Sequence, residues 1–227
     1  MSLSDHILFI DGEAIVIDKP AGLPVDPPRS GGPSIDGRIA ELRMGFRTSP
    51  VAMHRLDTDT TGCLLFARNA RARKTFQAAF EGHLVEKTYL AVVEGVVPDD
   101  QGVIDLPLAK FSTAAAGWRM VHDEAGKSAR TRWRRLGTIG DESLVEFIPE
   151  TGRTHQIRVH AARGLGCAIV GDPVYSDRDR DPEQPMMLHA WKLRVPRENR
   201  PAVDVVAPIP DSFGLFLDFL GEEAGAA

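Results

Sequence analysis

Side chains able to do chemistry are concentrated in two short segments of this 227-residue chain. The first, Met53–Gly62, places two carboxylates, one guanidinium and three threonines between apolar stretches. The second, Glu150–His160, reads E-T-G-R-T-H-Q-I-R-V-H and follows a predicted strand. Carboxylates exchange protons, and the planar guanidinium of arginine binds phosphate. So many polar groups are costly to bury, which favours a functional role for each segment as a whole. For single residues the simpler interpretations stand at this point: Asp57 and Asp59 can form a turn, and Arg158 can lie on a solvated helix face.

Metal binding is an alternative chemistry for the same segments, because several histidines and aspartates lie in or near them. His155 and His160 are five residues apart, about 140° around a helix, whereas the two histidines of a zinc helix are four apart. This spacing favours structural roles for the histidines. Nucleophilic serine chemistry is not indicated either, because the chain has no G-x-S-x-G sequence. The potential metal ligands are His54, Asp57, His155, His160, Asp172 and His189.

Short strands and a few helices must position these segments. Ile7–Ile10 and Ala14–Asp18 predict a β-hairpin, and the stretch beginning Lys19-Pro20 predicts a loop. A helix is predicted over Ala70–Phe80, with Asn69 as its cap and Gly82 as its end. Further strands are predicted at Val85–Val93, Gly102–Leu106, Ala129–Leu136, Ser143–Ile148, Met187–Val195 and Val203–Ala207, and further helices at Ser34–Met44 and Ser212–Leu220.

Most of these elements are joined by turns rather than helical crossovers, which predicts an α+β fold with a mixed, mostly antiparallel sheet. The sequence contains no internal repeat, no G-x-G-x-x-G and no Walker A motif, so dinucleotide and phosphate-loop chemistry have no support. We interpret residues 1–227 as a single domain.

The composition is that of a globular protein, with 43% hydrophobic and 26% charged residues. The net charge of −5 lies entirely in residues 171–227, which hold 6 basic and 11 acidic residues. A local patch that binds nucleic acid, in the neutral part formed by residues 1–170, is therefore compatible with the overall charge. Cys63 and Cys167 are the only cysteines, and the N-terminus does not resemble a signal peptide, so we expect a cytoplasmic protein with no membrane anchor.

Six motifs in order resemble those of the RluA-type pseudouridine synthases, over about residues 6–210. The central one, His54-Arg55-Leu56-Asp57 with Thr60-Thr61-Gly62, looks like the family's H-R-L-D-x-x-T/S-S/T-G motif. The departures are Thr61, where Ser is common, and Ser176, where Gly is frequent. The other five are Lys19-Pro20-Ala21-Gly22-Leu23, Glu86-Lys87-Thr88-Tyr89, Gly152–His160, Gly171-Asp172-Pro173-Val174-Tyr175 and Leu188-His189-Ala190.

The resemblance implies the pseudouridine synthase fold, a large mixed sheet flanked by helices and loops with a central RNA-binding cleft. It also implies a chain that begins at the catalytic domain, without the S4-like module that many relatives carry in front. The implied reaction breaks the C1′–N1 bond of uridine and joins C5 to C1′, which requires no cofactor. A carboxylate acts either as nucleophile at C1′ or as base at C2′.

Site roles follow from the same resemblance. Asp57 is the catalytic carboxylate, and Arg158 is its charge partner, which would keep it ionised in a pocket. Tyr89 would stack on the uracil, Ile157 would wall the pocket, and Arg55 would fill the space left by the flipped nucleotide and bind RNA. Lys19, Asp172 and His189 are interpreted as structural residues and left outside the active site. No metal site is expected.

The expected partner is RNA, in the form of an rRNA or tRNA stem-loop recognised by shape and by bases splayed from its loop. We expect a monomer that needs no protein partner and does not bind membranes. Two other functions remain open at this stage. One is a catalytically silent RNA-binding relative that uses the same cleft, and the other, more remote, is a metal-dependent hydrolase.

Overall fold

A computed structural model describes residues 2–113, 117–178, 181 and 183–224. Twelve strands and two α-helical segments form its framework, joined by 3-10 helices at Leu3–His6, Asp36–Leu42 and Asp211–Ala224. The helices are α1 (Ala70–Glu81) and α2 (Gln156–Val159), the second continuing into a π-helical turn, His160–Leu165. The strands are β1 (Ile7–Ile10), β2 (Ala14–Lys19), β3 (Val51–Ala52), β4 (Thr61–Ala67), β5 (Glu86–Glu94), β6 (Gln101–Asp105), β7 (Leu108–Thr113), β8 (Gly117–His122), β9 (Arg130–Ile139), β10 (Glu142–Pro149), β11 (Leu188–Val195) and β12 (Val203–Val206).

The chain divides into two compact units, and the first contains the described residues up to Lys87 together with His189–Ile209. Its strands run in the order β1-β2-β4-β11, with β3 beside β4 and β12 beside β11. Only the β4–β11 pair among these is parallel. One apolar cluster unites β2, β4, β12 and the buried residues Ala72, Phe76 and Ala79 of α1.

The second unit contains Thr88–Leu188 and the described chain from Pro210 onward. Its strands run in the antiparallel order β5-β10-β9-β6. Strands β7 and β8 pair with each other and form a separate two-stranded ribbon. The apolar cluster of this unit packs β5, β6 and β10 against the residues that follow Gln156. The prediction of an α+β fold with a mixed, mostly antiparallel sheet is confirmed.

Helix α1 forms where the sequence predicts it. The Asn69 side chain accepts a hydrogen bond from the Ala72 amide at 2.9 Å, and Gly82 follows the last helical residue. The predicted hairpin of β1 and β2 is also present. No helix among the described residues is long and apolar enough to span a bilayer.

Two local predictions are wrong, and one element was missed. The segment Ser34–Met44 contains a shorter 3-10 helix, because Gly37 weakens a regular helix and the Ser34 hydroxyl already accepts its amide. The closing helix is a 3-10 segment broken at Gly214 and Gly221, whose positive φ angles are incompatible with continuous helix. The ribbon of β7 and β8 was not predicted at all.

Candidate active site

The loop between β3 and β4 holds Asp57. Leu56 and Thr60, which flank this aspartate, are buried at 7% and 2% exposure, and the Thr60 amide donates to the Asp57 carbonyl at 3.2 Å. The Asp57 residue itself is only partly buried. Two buried anchors and a tight turn therefore fix the backbone on both sides of an aspartate that is only partly buried.

A buried ammonium group lies under this loop. Lys19, at the end of β2, is fully buried, and its Nζ donates to the carbonyl oxygens of Leu23 and Thr58, each at 2.8 Å, and of Pro20 at 2.7 Å. Burial lowers the pKa of Lys19 to about 8, while the nearby carboxylates, including Asp59 and Asp57, act in the opposite direction. Lys19 thus ties the K-P-A-G-L loop to the Asp57 loop, a role that the sequence interpretation did not assign to it.

The far end of the Asp57 loop is fixed by the parallel pairing of β4 and β11. Thr61 lies opposite His189, and their side chains are joined by a 2.7 Å hydrogen bond between Oγ1 and Nδ1. Gly62 has φ +101°, and a Cβ at this position would collide with the Ala190 carbonyl. The glycine of the T-T-G sequence is thus required by close backbone approach, and the structural interpretation of His189 agrees with this buried hydrogen bond.

His54 is also structural. Its Nε2 accepts a hydrogen bond from the Leu65 amide at 3.1 Å, and its ring stacks on Phe80 with a centroid separation of 5.3 Å. Burial, assisted by the nearby Lys87 charge, lowers the pKa of His54 to about 3. A neutral imidazole with Nε2 as acceptor joins the residues before Asp57 to β4.

Arg55 is placed differently, with its side chain 76% exposed. Its Nη1 lies 3.0 Å from Oδ2 of Asp26 in the proline-rich loop, and that carboxylate is also largely exposed. Since exposed ion pairs are weak and screened by salt, the guanidinium can exchange this partner for another anion.

The second unit brings Tyr89 and Ile157 together. Tyr89 on β5 is paired in register with Phe147 on β10 and is partly buried against the cluster that contains Ile157 and Phe147. Ile157 is 7% exposed. An aromatic ring and an aliphatic side chain held in this way can form two walls of an apolar pocket.

Arg158 follows Ile157 and forms a buried ion pair with Asp172. Its Nε lies 2.8 Å from Oδ2 and its Nη2 lies 2.7 Å from Oδ1, so the pair is bidentate. Oδ1 of Asp172 also accepts from the amides of Val174 and Tyr175, and the Arg158 guanidinium lies 5.1 Å from the Tyr175 ring centroid. The turn interpretation of Gly171-Asp172-Pro173 is therefore incomplete, because Asp172 both closes the turn and orients Arg158.

The start of α2 sets the direction of Arg158. From its residue type, Thr154 is predicted to cap this helix. The structure places His155, not Thr154, at the N-cap position, with φ +53° and no side-chain capping hydrogen bond. Instead, Oε1 of Gln156 accepts from the Arg153 amide and the Thr151 hydroxyl, while Nε2 donates to the Thr131 hydroxyl. The buried side-chain amide of Gln156 thus ties the start of α2 to the preceding loop through Oε1 and to β9 through Nε2.

The structure therefore groups the predicted residues by unit. Arg55 and Asp57 lie in the first unit, and Tyr89, Ile157 and Arg158 lie in the second. The pairing of Arg158 with Asp57 stays a prediction. Within the described ranges, no group of three or more histidine, cysteine, aspartate or glutamate side chains is arranged to hold a metal ion.

Comparisons with known proteins identify the family to which the chain belongs. A family model described as RNA pseudouridylate synthase matches residues 13–163. An uncharacterized RNA pseudouridine synthase of Zymomonas mobilis is 48% identical over 211 residues, which cover 93% of this chain and 96% of that protein. Ribosomal large subunit pseudouridine synthase D of Nitrosomonas europaea is 35% identical over 226 residues, which cover 93% of this chain and 64% of that protein.

A solved structure, human RNA pseudouridylate synthase domain containing 4, matches with a TM-score of 0.77 at 28% identity, covering 96% of this chain and 92% of that one. These comparisons define an isomerase class, the enzymes that convert uridine to pseudouridine in RNA. Within this class, the chain belongs to the RluA-type family of RNA pseudouridine synthases.

Proposed function

We propose that Asp57 is the carboxylate that acts on the target uridine. The observation that carries this proposal is the placement of Asp57, only partly buried, in a loop fixed by Leu56, Thr60 and the Lys19 ammonium. A preorganised carboxylate can attack C1′ as a nucleophile or remove the C2′ proton as a base, and either step allows the C1′–N1 bond to break. Uracil then turns over and C5 bonds to C1′, which either displaces the Asp57 carboxylate from C1′ or is accompanied by return of the proton to C2′. C5 loses its proton and N1 gains one, so the product is an isomer of the substrate.

In this proposal the second unit binds the base. Tyr89 stacks on the uracil and assists removal of the C5 proton, and Ile157 walls the pocket. The packing of both side chains in one cluster supports these roles. Arg158 supplies a fixed positive charge for the Asp57 carboxylate, and its guanidinium is oriented by Asp172 before the substrate binds. No cofactor takes part in the reaction.

Arg55 is proposed to bind RNA. It immediately precedes Leu56 in the Asp57 loop, it is highly exposed, and its Asp26 partner is exposed as well. When the target nucleotide leaves the helical stack, the guanidinium can occupy the vacated space or contact a neighbouring phosphate. An extruded base leaves a gap, and a long planar side chain is suited to fill it.

We propose a structured RNA as the substrate, specifically an rRNA or tRNA stem-loop. Support comes from the relatives named ribosomal large subunit pseudouridine synthases, such as synthase D of Nitrosomonas europaea and synthase C of Rickettsia bellii. We further propose that residues 1–227 act as one catalytic domain, as a monomer, in the cytoplasm.

The test is to incubate the protein, with EDTA present, with RNA from a strain that lacks its gene, and to map pseudouridines by carbodiimide chemistry. The proposal expects new sites, which should also be modified in isolated hairpins. If no site appears in any RNA, the enzyme acts only with a partner or the catalytic proposal fails. Sites that form only in assembled ribosomal particles would contradict the stem-loop substrate.

A further inference from the structure

The two-stranded ribbon of β7 and β8 carries exposed aromatic rings and cations. Trp118 is 49% exposed and Phe111 46%, and the basic side chains Lys110 and Arg119 lie over the two rings. The two strands, Leu108–Thr113 and Gly117–His122, contain no aspartate or glutamate. Exposed rings interleaved with positive charge are typical of surfaces that bind unpaired nucleic acid, where bases stack on the rings and the cations contact phosphates.

The strand register separates these groups onto two faces. Trp118 lies opposite Ser112, and Met120 lies opposite Lys110, so Trp118 and Lys110 share one face. Phe111 lies opposite Arg119, and this pair occupies the other face. We refer to the first as the Trp118 face and to the second as the Phe111 face. The chain thereby provides two exposed aromatic–cation pairs of similar exposure on one element.

The Trp118 face is connected to the candidate active site. The Trp118 ring lies 5.2 Å from that of His155, and Nδ1 of His155 is 2.8 Å from the Tyr175 hydroxyl. That hydroxyl accepts a hydrogen bond from the Met120 amide at 3.1 Å, and the Tyr175 ring contacts Arg158. A continuous set of ring, hydrogen-bond and cation contacts thus links Trp118 to Arg158 within one unit.

We propose that the Trp118 face binds an unpaired RNA base from the loop that carries the target uridine, with Trp118 as the stacking platform and Lys110 as a phosphate contact. This inference rests on the proposed function. The tryptophan ring packs against His155, which sets its orientation before RNA arrives, and Trp118 is 49% exposed, so a base can reach it. The absence of carboxylates from both strands favours a polyanion as the partner.

A fully paired stem would not be held in this way. Its bases are already stacked on one another, so a stacking platform gains a contact only with a base that is unpaired. The Trp118 face therefore discriminates a loop from a duplex of the same charge. This gives the enzyme a second contact to its substrate, separate from the base that undergoes isomerisation.

Binding should be measured in the Asp57→Asn background, so that turnover does not change the RNA. The probes are a labelled synthetic RNA hairpin with a uridine-containing loop and the fully paired duplex of the same stem. Trp118→Ala should weaken hairpin binding roughly 5- to 100-fold, which corresponds to the usual contribution of one stacked base. Trp118→Phe should remain close to the parent protein, and Phe111→Ala, on the Phe111 face, is the matched control and should have little effect.

Fluorescence provides a second readout. Trp133 and Trp191 are buried, at 8% and 2% exposure, so quenching of tryptophan emission by the hairpin should come from Trp118 and disappear in Trp118→Phe. Equal affinities of Trp118→Ala and Phe111→Ala, or unchanged quenching in Trp118→Phe, would overturn the inference. If the wild-type protein makes pseudouridine while these results are negative, the proposed function stands and only the inference fails. If it makes none, the binding measurements still decide the inference.

Discussion

The guanidinium of Arg158 and the carboxylate of Asp172 form a bidentate ion pair in which the side chains are only 6% and 0% exposed. Such a pair adds little net stability when it forms, but removal of one partner leaves an uncompensated buried charge. The pair therefore acts mainly by fixing the position of Arg158. The guanidinium of Arg158 is therefore oriented before any substrate is bound.

Asp172→Asn should lower the free energy of unfolding by about 3–5 kcal/mol, because the buried Arg158 charge loses its partner. Urea unfolding measures this change. Asp204→Asn is the matched control, because Asp204 is exposed and lies 4.0 Å from Arg194, and it should cause no measurable change. Equal stability of the two variants would contradict the role of Asp172.

Lys19 predicts a specific pH dependence of stability. Its pKa is about 8 in the folded protein and 10.5 in its unperturbed state, so between these values the unfolded chain holds a proton that the native chain has released. The Lys19 contribution to the free energy of unfolding should therefore increase with pH between about 8 and 10.5 and be flat below that window.

The measurement compares the pH dependence of urea unfolding for the wild type and Lys19→Met. The wild type should show the steeper rise in this window, and Lys19→Met should also be less stable because the carbonyls of Leu23 and Thr58 lose their donor. Lys74→Met, on the exposed surface of α1, should keep the wild-type slope. If the free energies of unfolding of the wild type and Lys19→Met changed in parallel with pH, the buried ammonium would not titrate in this pH window.

Gly62→Ala should destabilise the protein by about 1–3 kcal/mol or more, because the new Cβ would meet the Ala190 carbonyl and φ is positive. Gly12→Ala provides the comparison, since a Cβ there meets nothing within 4 Å, and it should stay within about 0.5 kcal/mol of the wild type. Thermal unfolding distinguishes the two. A Gly62→Ala protein with the stability of Gly12→Ala would disprove the close approach of β4 and β11.

Arg55 and Asp26 predict a competition between the ion pair and RNA. Asp26→Asn should tighten RNA binding modestly at low salt, because Arg55 no longer has to leave a carboxylate. Combination with Arg55→Ala, in a double-mutant cycle of RNA affinities, should abolish that gain. Asp36→Asn is the control for removing one exposed negative charge. If Asp36→Asn gave the same gain in RNA affinity, the gain would reflect net charge alone. If the gain from Asp26→Asn persisted in the Arg55→Ala background, Arg55 would not be competing between Asp26 and RNA.

Local signals allowed part of the fold to be predicted. Asn69 and Gly82 mark the two ends of α1, and the short turn between β1 and β2 defines their hairpin. The ribbon of β7 and β8 escaped prediction because L-A-K-F-S-T and G-W-R-M-V-H alternate poorly between apolar and polar residues. Its stability depends on contacts made elsewhere, such as the Tyr175 hydroxyl on the Met120 amide.

The roles of Asp57 and Arg158 were predicted because the family resemblance implies them. Asp172 also lies in a matched motif, but its sequence equally describes a turn. Its ion pair with a residue 14 positions away is visible only in the folded chain. Lys19 was missed for the same reason, since the sequence does not show that a lysine beside a proline will be fully buried.

Pseudouridine formation by Asp57→Asn is the most direct test of the central claim, that the carboxylate of Asp57 performs the chemistry. Turnover should be abolished, while RNA affinity stays within a few fold of the wild type, because phosphate contacts dominate binding. Asp59→Asn, two residues further along the same loop, should retain turnover. Substantial pseudouridine formation by purified Asp57→Asn, on an RNA that the wild type modifies, would contradict the account.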